Sequence, residues 1–511
     1  MLASLRPILR KFPDAKRLHW YRYGDWESPV LRKELYFQGN IRVQFKAYTG
    51  LDCGLEYEVH NEPTVYAVRE DHEKFLSLFF KNLARNPKYF AELTAKTERI
   101  CATVERFILR LHKVKHWESF NRSGLDFWYS SFKRHYLSLF PYSFLWYQQE
   151  KFSKQLVAYA LKLSNVKPDK TQIVIAKMMA APLGRKPYSA LAAADFLKMV
   201  LAVKKNPKLF RLFKTSSFGK TQGVLGNNDV KFSLDRHIRK YGWLSTRHWL
   251  GNPMSADEAF KQVKSLLKLN IDKVQLDRQA AARKAKLALG RLFEELHLSG
   301  PSKALINILR RHVFLKTYRK ELLSKADFSA RPLFTQIARR MHLDYRQLIY
   351  LRVSELENYL RQGKLPEISK LALRQKGYAL LLYKSKVYLF ENQFSKHAPW
   401  KGRRRITLTG TVAHGGLAEG FVRVVRRNRD IKRVRAGEIL VCDMTNPNYL
   451  PALHKAAAFV TNRGGSLSHA VVLSRELDKP CLVNTRIATE VLKDGMRVVV
   501  DANRGYLKVL N

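Results

Sequence analysis

From about residue 70 to residue 375, apolar side chains recur every three or four positions, the spacing of helices with one buried face. The stretch EKFLSLFFKNLARNPKYFAELTAKTERICATVERFILRLHKV predicts two helices separated at Asn86-Pro87, because proline lacks an N–H and drives the residue before it out of the helical region. The same spacing predicts helices over 151–164, 190–203, 255–297 and 302–324. Ahead of them, between 41 and 69, IRVQFKAYTG and PTVYAVRED read as short strands. Beyond 380 the texture changes. ENQFSKHAPWKGRRR, at 391–405, mixes polar, proline and basic residues and reads as a hinge. Short β-branched runs then alternate with short helical pieces: FVRVV at 421, EILVC at 438, AAFVT at 457, CLV at 481, MRVVVD at 496 and YLKVL at 506, with glycines between them. Such alternation predicts a compact α/β domain. The chain therefore divides into a small α+β element over 1–69, a helical domain over 70–390, a hinge over 391–407 and an α/β domain over 408–511. No internal repeat of fixed period is evident.

Composition changes this picture in one respect. The 511 residues are 46% hydrophobic, enough to bury a large core, yet 93 Lys and Arg face 43 Asp and Glu, a formal charge of +50. That surplus favours anionic partners and leaves a nucleic acid open as one of them, although a solvated basic surface explains the same count. Four cysteines occur without CxxC or Cys/His spacing, so neither a disulfide framework nor a metal site is indicated and a reduced, cytoplasmic setting is expected. No run of eighteen apolar residues predicts a membrane span. The opening MLASLRPILRKF is basic, but its apolar run is short for a secretory signal. ELYFQG at 34–39 looks like a protease tag inside a folded stretch and is read as native. Between 127 and 147, FWYSSFKRHYLSLFPYSFLWY interleaves rings with cations. Such a pattern can stack bases, but without an accompanying RNA-binding signature it reads as helical core.

The chemistry concentrates in TNRGGSLSHAVVLSRELDKPCLV, from Thr461 to Val483. A buried-strand pattern ends at Thr461, a loop follows, and His469 falls in the first turn of a predicted helix. Unpaired N–H groups and the positive end of the dipole at a helix N-terminus favour a bound or covalent phosphate. Gly464 and Gly465 let the loop backbone approach an anion, Ser466 and Ser468 can cap the helix or donate to phosphate oxygens, and imidazole is nucleophilic near neutral pH. Taken alone, GGxxSH also describes a turn with an ordinary hydrogen-bonded histidine.

The whole stretch resembles the signature of the phosphohistidine swivelling domain of phosphoenolpyruvate synthase, pyruvate phosphate dikinase and rifampicin phosphotransferase, roughly T-x-x-G-G-x-x-S-H-A with R-E and P following. GTVAHGGLAEGFVRVV, AGEILVCDMTNPNYLPALHKAAAFVT and ATEVLKDGMRVVVDANRGYLKVL extend the likeness over about 408–510. The resemblance implies a multidomain protein: a mainly α N-terminal region with a small β element, then a C-terminal α/β swivelling (β/β/α) phosphohistidine domain. It implies that His469 carries the phosphoryl group, with Thr461, Gly464, Gly465, Ser468 and Arg475 shaping its surroundings, although six residues of helix turn Arg475 well away from His469. Leu467 stands where the dikinases usually have threonine, and Asn462 and Arg463 replace frequent acidic residues. Arg463 beside a phosphorylated imidazole is expected to stabilise it. His414 and His454 read as structural or exposed.

Residues 313–360, LALRQKGYALLL, and more faintly HIRKYGWLSTRHWLGNPMSADEA resemble the helical region of the same enzymes, which implies an acceptor-binding part. Nothing in 1–390 resembles their ATP-grasp domain, and no GxxxxGK[ST] loop substitutes for it. ATP and Mg2+ are therefore expected only through a separate ATP-grasp partner, with a small molecule of unknown identity as acceptor. Three readings follow: a carrier component of a split phosphotransferase that is not self-sufficient for ATP use; a non-catalytic regulatory or binding module; and a basic nucleic-acid-binding protein.

Overall fold

The structure, a computed structural model, describes every residue except 1–5, 26–27, 62–63, 142–148, 182, 220, 222–228, 247–248, 268–270, 392–406, 427, 446–448, 465–468, 486 and 511. The chain forms two units. One comprises Met1–Phe152, Trp243–Pro253 and Phe314–Lys396; the other comprises Ser153–Gly242, Met254–Val313 and His397–Asn511. The inferred hinge lies outside the described residues over 392–406.

The first unit holds an antiparallel sheet of five strands, β1 (Trp20–Asp25), β2 (Tyr57–Asn61), β3 (Thr64–Val68), β4 (Tyr378–Tyr383) and β5 (Lys386–Glu391), in the order β1-β3-β2-β4-β5. Val59, Tyr66, Ala379 and Leu381 turn one face onto Ile8, Leu9 and Trp20. The helix Val30–Asn40 is buried along almost its whole length, including Arg32, Lys33 and Glu34. Such burial requires partners. Arg32 Nε donates to Asp327 Oδ2 at 3.1 Å, Glu34 accepts from Arg352 Nε and from the Val353 amide, both at 2.7 Å, and Lys33 lies 4.9 Å from the Tyr378 ring centroid. The tag-like Glu34–Gly39 stretch lies within this helix, where a Cβ on Gly39 would meet Phe140 at 2.7 Å.

The helices about Asn86-Pro87 are Arg69–Arg85 and Tyr89–Lys113, and Asn86 Oδ1 accepts from the Lys88 amide at 3.0 Å in the break between them. One element departs from expectation. Arg42–Thr49, read as a strand, is a helix: Phe45, Tyr48 and Thr49 are buried at three- and four-residue spacing while Val43 is 72% exposed, and Gly50 ends it at φ +75°. Eight residues with alternating apolar positions satisfy both periods, and packing selects the helix. In the aromatic-rich stretch Tyr129, Phe132, Tyr136 and Phe140 are core, Phe127 is exposed, and 142–147 lie outside the described residues.

In the second unit the predicted 255–297 helix is two, Ala256–Leu266 and Ile271–Glu295. An eight-stranded sheet follows: β6 (Thr407–Thr409), β7 (Thr411–His414), β8 (Leu417–Val425), β9 (Ile439–Cys442), β10 (Ala458–Thr461), β11 (Cys481–Val483), β12 (Arg497–Asp501) and β13 (Tyr506–Val509), in the order β6-β13-β12-β8-β9-β10-β11-β7. The strands from β8 to β11 are mutually parallel and the rest pair antiparallel. Parallel strands are covered on both faces, which is why EILVC and AAFVT read as unbroken apolar runs. Ile439, Val441 and Val460 enter a cluster with Val498, Val500 and Leu507, whereas Leu440, Cys442 and Phe459 enter another with Val200, Phe260, Leu453 and Val471. Among the described residues no helix is long and apolar enough to cross a membrane.

Candidate functional site

Because β9, β10 and β11 are parallel, their C-terminal ends open onto the same edge of the sheet, the usual place for a ligand in an α/β fold. Asp443 follows β9 directly, Asn462 and Arg463 follow β10, and Thr485 lies two residues beyond β11. The Asn462 amide donates to the Cys442 carbonyl at 3.0 Å and the Arg463 amide to the Asp443 carbonyl at 2.9 Å, which carries the β9–β10 pairing past the strand ends.

Side chains then hold the loop. Thr461, fully buried, donates its hydroxyl to the Arg463 carbonyl at 2.7 Å, while its own carbonyl accepts from the Thr485 amide and hydroxyl at 3.1 and 2.9 Å. Asn462 Nδ2 donates to Thr489 Oγ1 at 2.6 Å, and its Oδ1 accepts from the Thr489 amide at 2.9 Å. Arg463 grips Asp443 with two nitrogens: Nε donates to Oδ1 at 2.9 Å and an Nη to Oδ2. Gly464 stands at φ +147°, a conformation that favours a residue without Cβ.

The helix after the loop runs His469–Glu476, so His469 is its first residue, at the end where backbone N–H groups lack helical acceptors. Ala470, Val471, Leu473 and Ser474 are buried and anchor it. Gly465, Ser466 and Ser468 lie outside the described residues, as does the His469 side chain. The predicted residues brought together are thus Thr461, Arg463 and Gly464, on the loop that leads to His469. Arg475 is not among them. It lies farther along the helix, its Nε 3.4 Å from the Ala413 carbonyl, and burial pulls its guanidinium below the ordinary arginine range. His414 contacts Asp478 Oδ1 at 2.8 Å, at the protein surface.

Asp443, Thr485 and Thr489 escape a reading of the sequence. Their partners lie 20, 24 and 27 residues away and meet them only because the strands are parallel neighbours. The one local signal was an acidic residue directly after a buried strand.

Residues 434–505 match the family model described as PEP-utilising enzyme, mobile domain. A probable phosphoenolpyruvate synthase of Archaeoglobus fulgidus is 45% identical over 117 residues, 23% of this chain and 15% of that protein. A phosphoenolpyruvate synthase of Pyrococcus furiosus is 48% identical over 102 residues, 20% of this chain and 12% of its own. An uncharacterised phosphotransferase of Bacillus subtilis is 37% identical over 102 residues, again 20% and 12%. The chain thus spans only about an eighth of these relatives' length, within the C-terminal domain. Among solved structures, Thermococcus kodakaraensis aconitase X in its holo-form matches 21% of this chain and 99% of its own at 20% identity, with a TM-score of 0.18, too slight an overlap to carry an argument. The C-terminal mixed sheet thus matches the mobile domain of PEP-utilising enzymes.

Proposed function

We propose that this mobile domain is a phosphoryl carrier with His469 as the carrier residue, and that the chain is one component of a split phosphotransferase. The observation that carries the reading is that His469 opens a helix directly after a loop built on three parallel strand ends, within a match to a PEP-utilising mobile domain. Its context favours the phosphorylated state. Helix amides offset the negative charge of a phosphorylated ring, and the Thr461, Asn462 and Arg463 bonds anchor the start of the loop that leads to them.

In this reading a ring nitrogen of His469 attacks the donor phosphorus. An N–P bond forms, the donor's O–P bond breaks, and the departing oxygen keeps the electron pair. An acceptor oxygen then attacks the same phosphorus, the N–P bond breaks with its electrons returning to the imidazole, and the acceptor proton passes to solvent or a nearby base. Mg2+ and ATP are assigned to a separate ATP-grasp partner, as the resemblance to the multidomain phosphotransferases implies. The helical remainder is assigned to a small-molecule acceptor, and the +50 charge suits an acidic partner surface.

The test is phosphorylation of the full chain by labelled ATP with magnesium and a candidate ATP-grasp protein, or by labelled phosphoenolpyruvate. Acid-labile, base-stable label is expected, and His469→Ala is expected to abolish it. Label that survives in His469→Ala, or none from any donor, removes the carrier reading.

A further inference from the structure

A cavity of about 640 Å³ opens in the first unit, formed wholly by residues of that unit. Its volume suits a drug-sized molecule. We propose that it binds a planar aromatic carboxylate, a role independent of the carrier reading.

The walls supply the flat, apolar part of the argument. Tyr345 and Tyr350, both part-exposed, line the cavity with Leu250, while the Trp249 indole and Ile349 lie buried behind that surface, the indole 4.7 Å from the Phe334 ring centroid. Trp249 holds φ +71°, a region that bulky residues rarely occupy. Three contacts keep it there: its indole N–H donates to Asp327, and its carbonyl accepts from Arg331 Nη2 and from the Tyr345 hydroxyl, each at 3.4 Å. Arg331 Nη2 also donates to the Gly251 carbonyl at 2.7 Å. Backbone strain held by several independent contacts is typical of ligand clamps.

The charges supply the rest. Two guanidinium groups, Arg331 and Arg346, line the cavity against one carboxylate, Asp344, which is already accepting the Gln347 amide at 2.7 Å. The balance is one positive charge, which matches a monoanion and leaves a dianionic phosphate in excess. Arg331 lies 5.5 Å from the Phe328 ring centroid and 5.7 Å from that of Tyr345, and its Nη2 is committed to the Trp249 and Gly251 carbonyls, so the guanidinium that meets a ligand carboxylate is that of exposed Arg346, whose planar fork suits one. Gln375, which donates to the Arg346 carbonyl at 3.4 Å, adds an amide at the same wall.

The experiment is calorimetric titration of the full chain with 2-naphthoate and, separately, with the neutral 2-naphthalenemethanol. Arg331 also holds the Trp249–Gly251 backbone, so the informative variant is Arg346→Glu, at an exposed position, with an unchanged circular dichroism spectrum as the control for folding. The wild-type chain is expected to bind the naphthoate at least about tenfold more tightly than the alcohol, and Arg346→Glu to weaken the naphthoate by about tenfold while leaving the alcohol unchanged. Equal affinity for the two probes, naphthoate affinity unmoved by Arg346→Glu, or no heat from either probe overturns the proposal.

Discussion

Replacing Asn462 by alanine measures how firmly the loop ahead of His469 is held. Asn462 is 4% exposed, and both ends of its amide bond to one residue, Thr489, at 2.6 and 2.9 Å. A net hydrogen bond contributes about 1 kcal/mol, and a buried group left without its partner costs about 1 to 3 kcal/mol. Thr489 is only half-buried, so water reaches part of what the substitution uncovers, and the expected loss is about 2 to 3 kcal/mol. A chain of two units has no single unfolding free energy, so the readout must be local. Hydrogen exchange over peptides from β10 to Val491 serves this purpose: a loss of that size makes exchange about 30- to 150-fold faster where opening is local. Thr489→Val removes only the hydroxyl, and its cost should largely vanish in the Asn462→Ala background because the bond it breaks is already gone. Unchanged exchange in Asn462→Ala, acceleration spread equally over the first unit's sheet, or full additivity of the two substitutions would refute the account.

Two further outcomes follow from burial and packing. His237, whose ring is 1% exposed, is lowered to about 4 by burial, against a smaller opposing effect of Asp195. A histidine depressed in the folded state contributes stability that is present above its unfolded pKa and lost as pH falls toward its folded one. The second unit should therefore lose about 2 kcal/mol between pH 7 and 5. In the first unit burial lowers His72 to about 4 but raises Asp71 to about 7. The Asp71 contribution runs the other way, lost as pH rises toward 7, and raised Glu58 likewise opposes lowered His60, His112 and His135, so gains offset losses and that unit should change less than the second. Hydrogen exchange at the two pH values, corrected for intrinsic rates, separates the units, and equal pH dependence in both would contradict the assignment. Gly420→Ala would put a Cβ 2.5 Å from the Gly437 carbonyl oxygen, so the β8–β9 edge must part. A loss of about 2 to 3 kcal/mol is expected, and unchanged hydrogen exchange over β8 and β9 would contradict that packing.

The parts of this molecule legible in its sequence are those whose chemistry is local. EILVC, AAFVT and CLV announce strands because parallel strands exclude water from both faces, and they become β9, β10 and β11. Asn86-Pro87 stops a helix with its own atoms. The start of the loop before His469 is legible for the same reason, since Thr461 bonds the Arg463 carbonyl two residues on and Gly464 takes a positive φ. What escapes depends on distant partners. Arg32 and Glu34 look like surface charges until Asp327 and Arg352, 295 and 318 residues away, neutralise them inside the first unit. The β4–β5 hairpin turns at Lys384 and Ser385, both at positive φ, without the glycine or asparagine that would have signalled it.

Arg463 shows how this distinction bears on function. Read locally, an arginine in the loop ahead of a phosphorylatable histidine is a free positive charge, one more of the 93 basic residues, waiting for phosphate. In the fold it already carries a carboxylate, with Asp443 bonded to two of its nitrogens and the pair only partly exposed. A guanidinium so engaged contributes mainly geometry, since its charge is offset within the same bond lengths. If His469 carries a phosphoryl group, most of the compensating charge must come from backbone amides at the start of the helix His469–Glu476. The carrier's affinity for phosphate then depends on the loop's shape more than on the protein's net charge, and a neutral pair at positions 443 and 463 that preserved the loop would preserve phosphorylation.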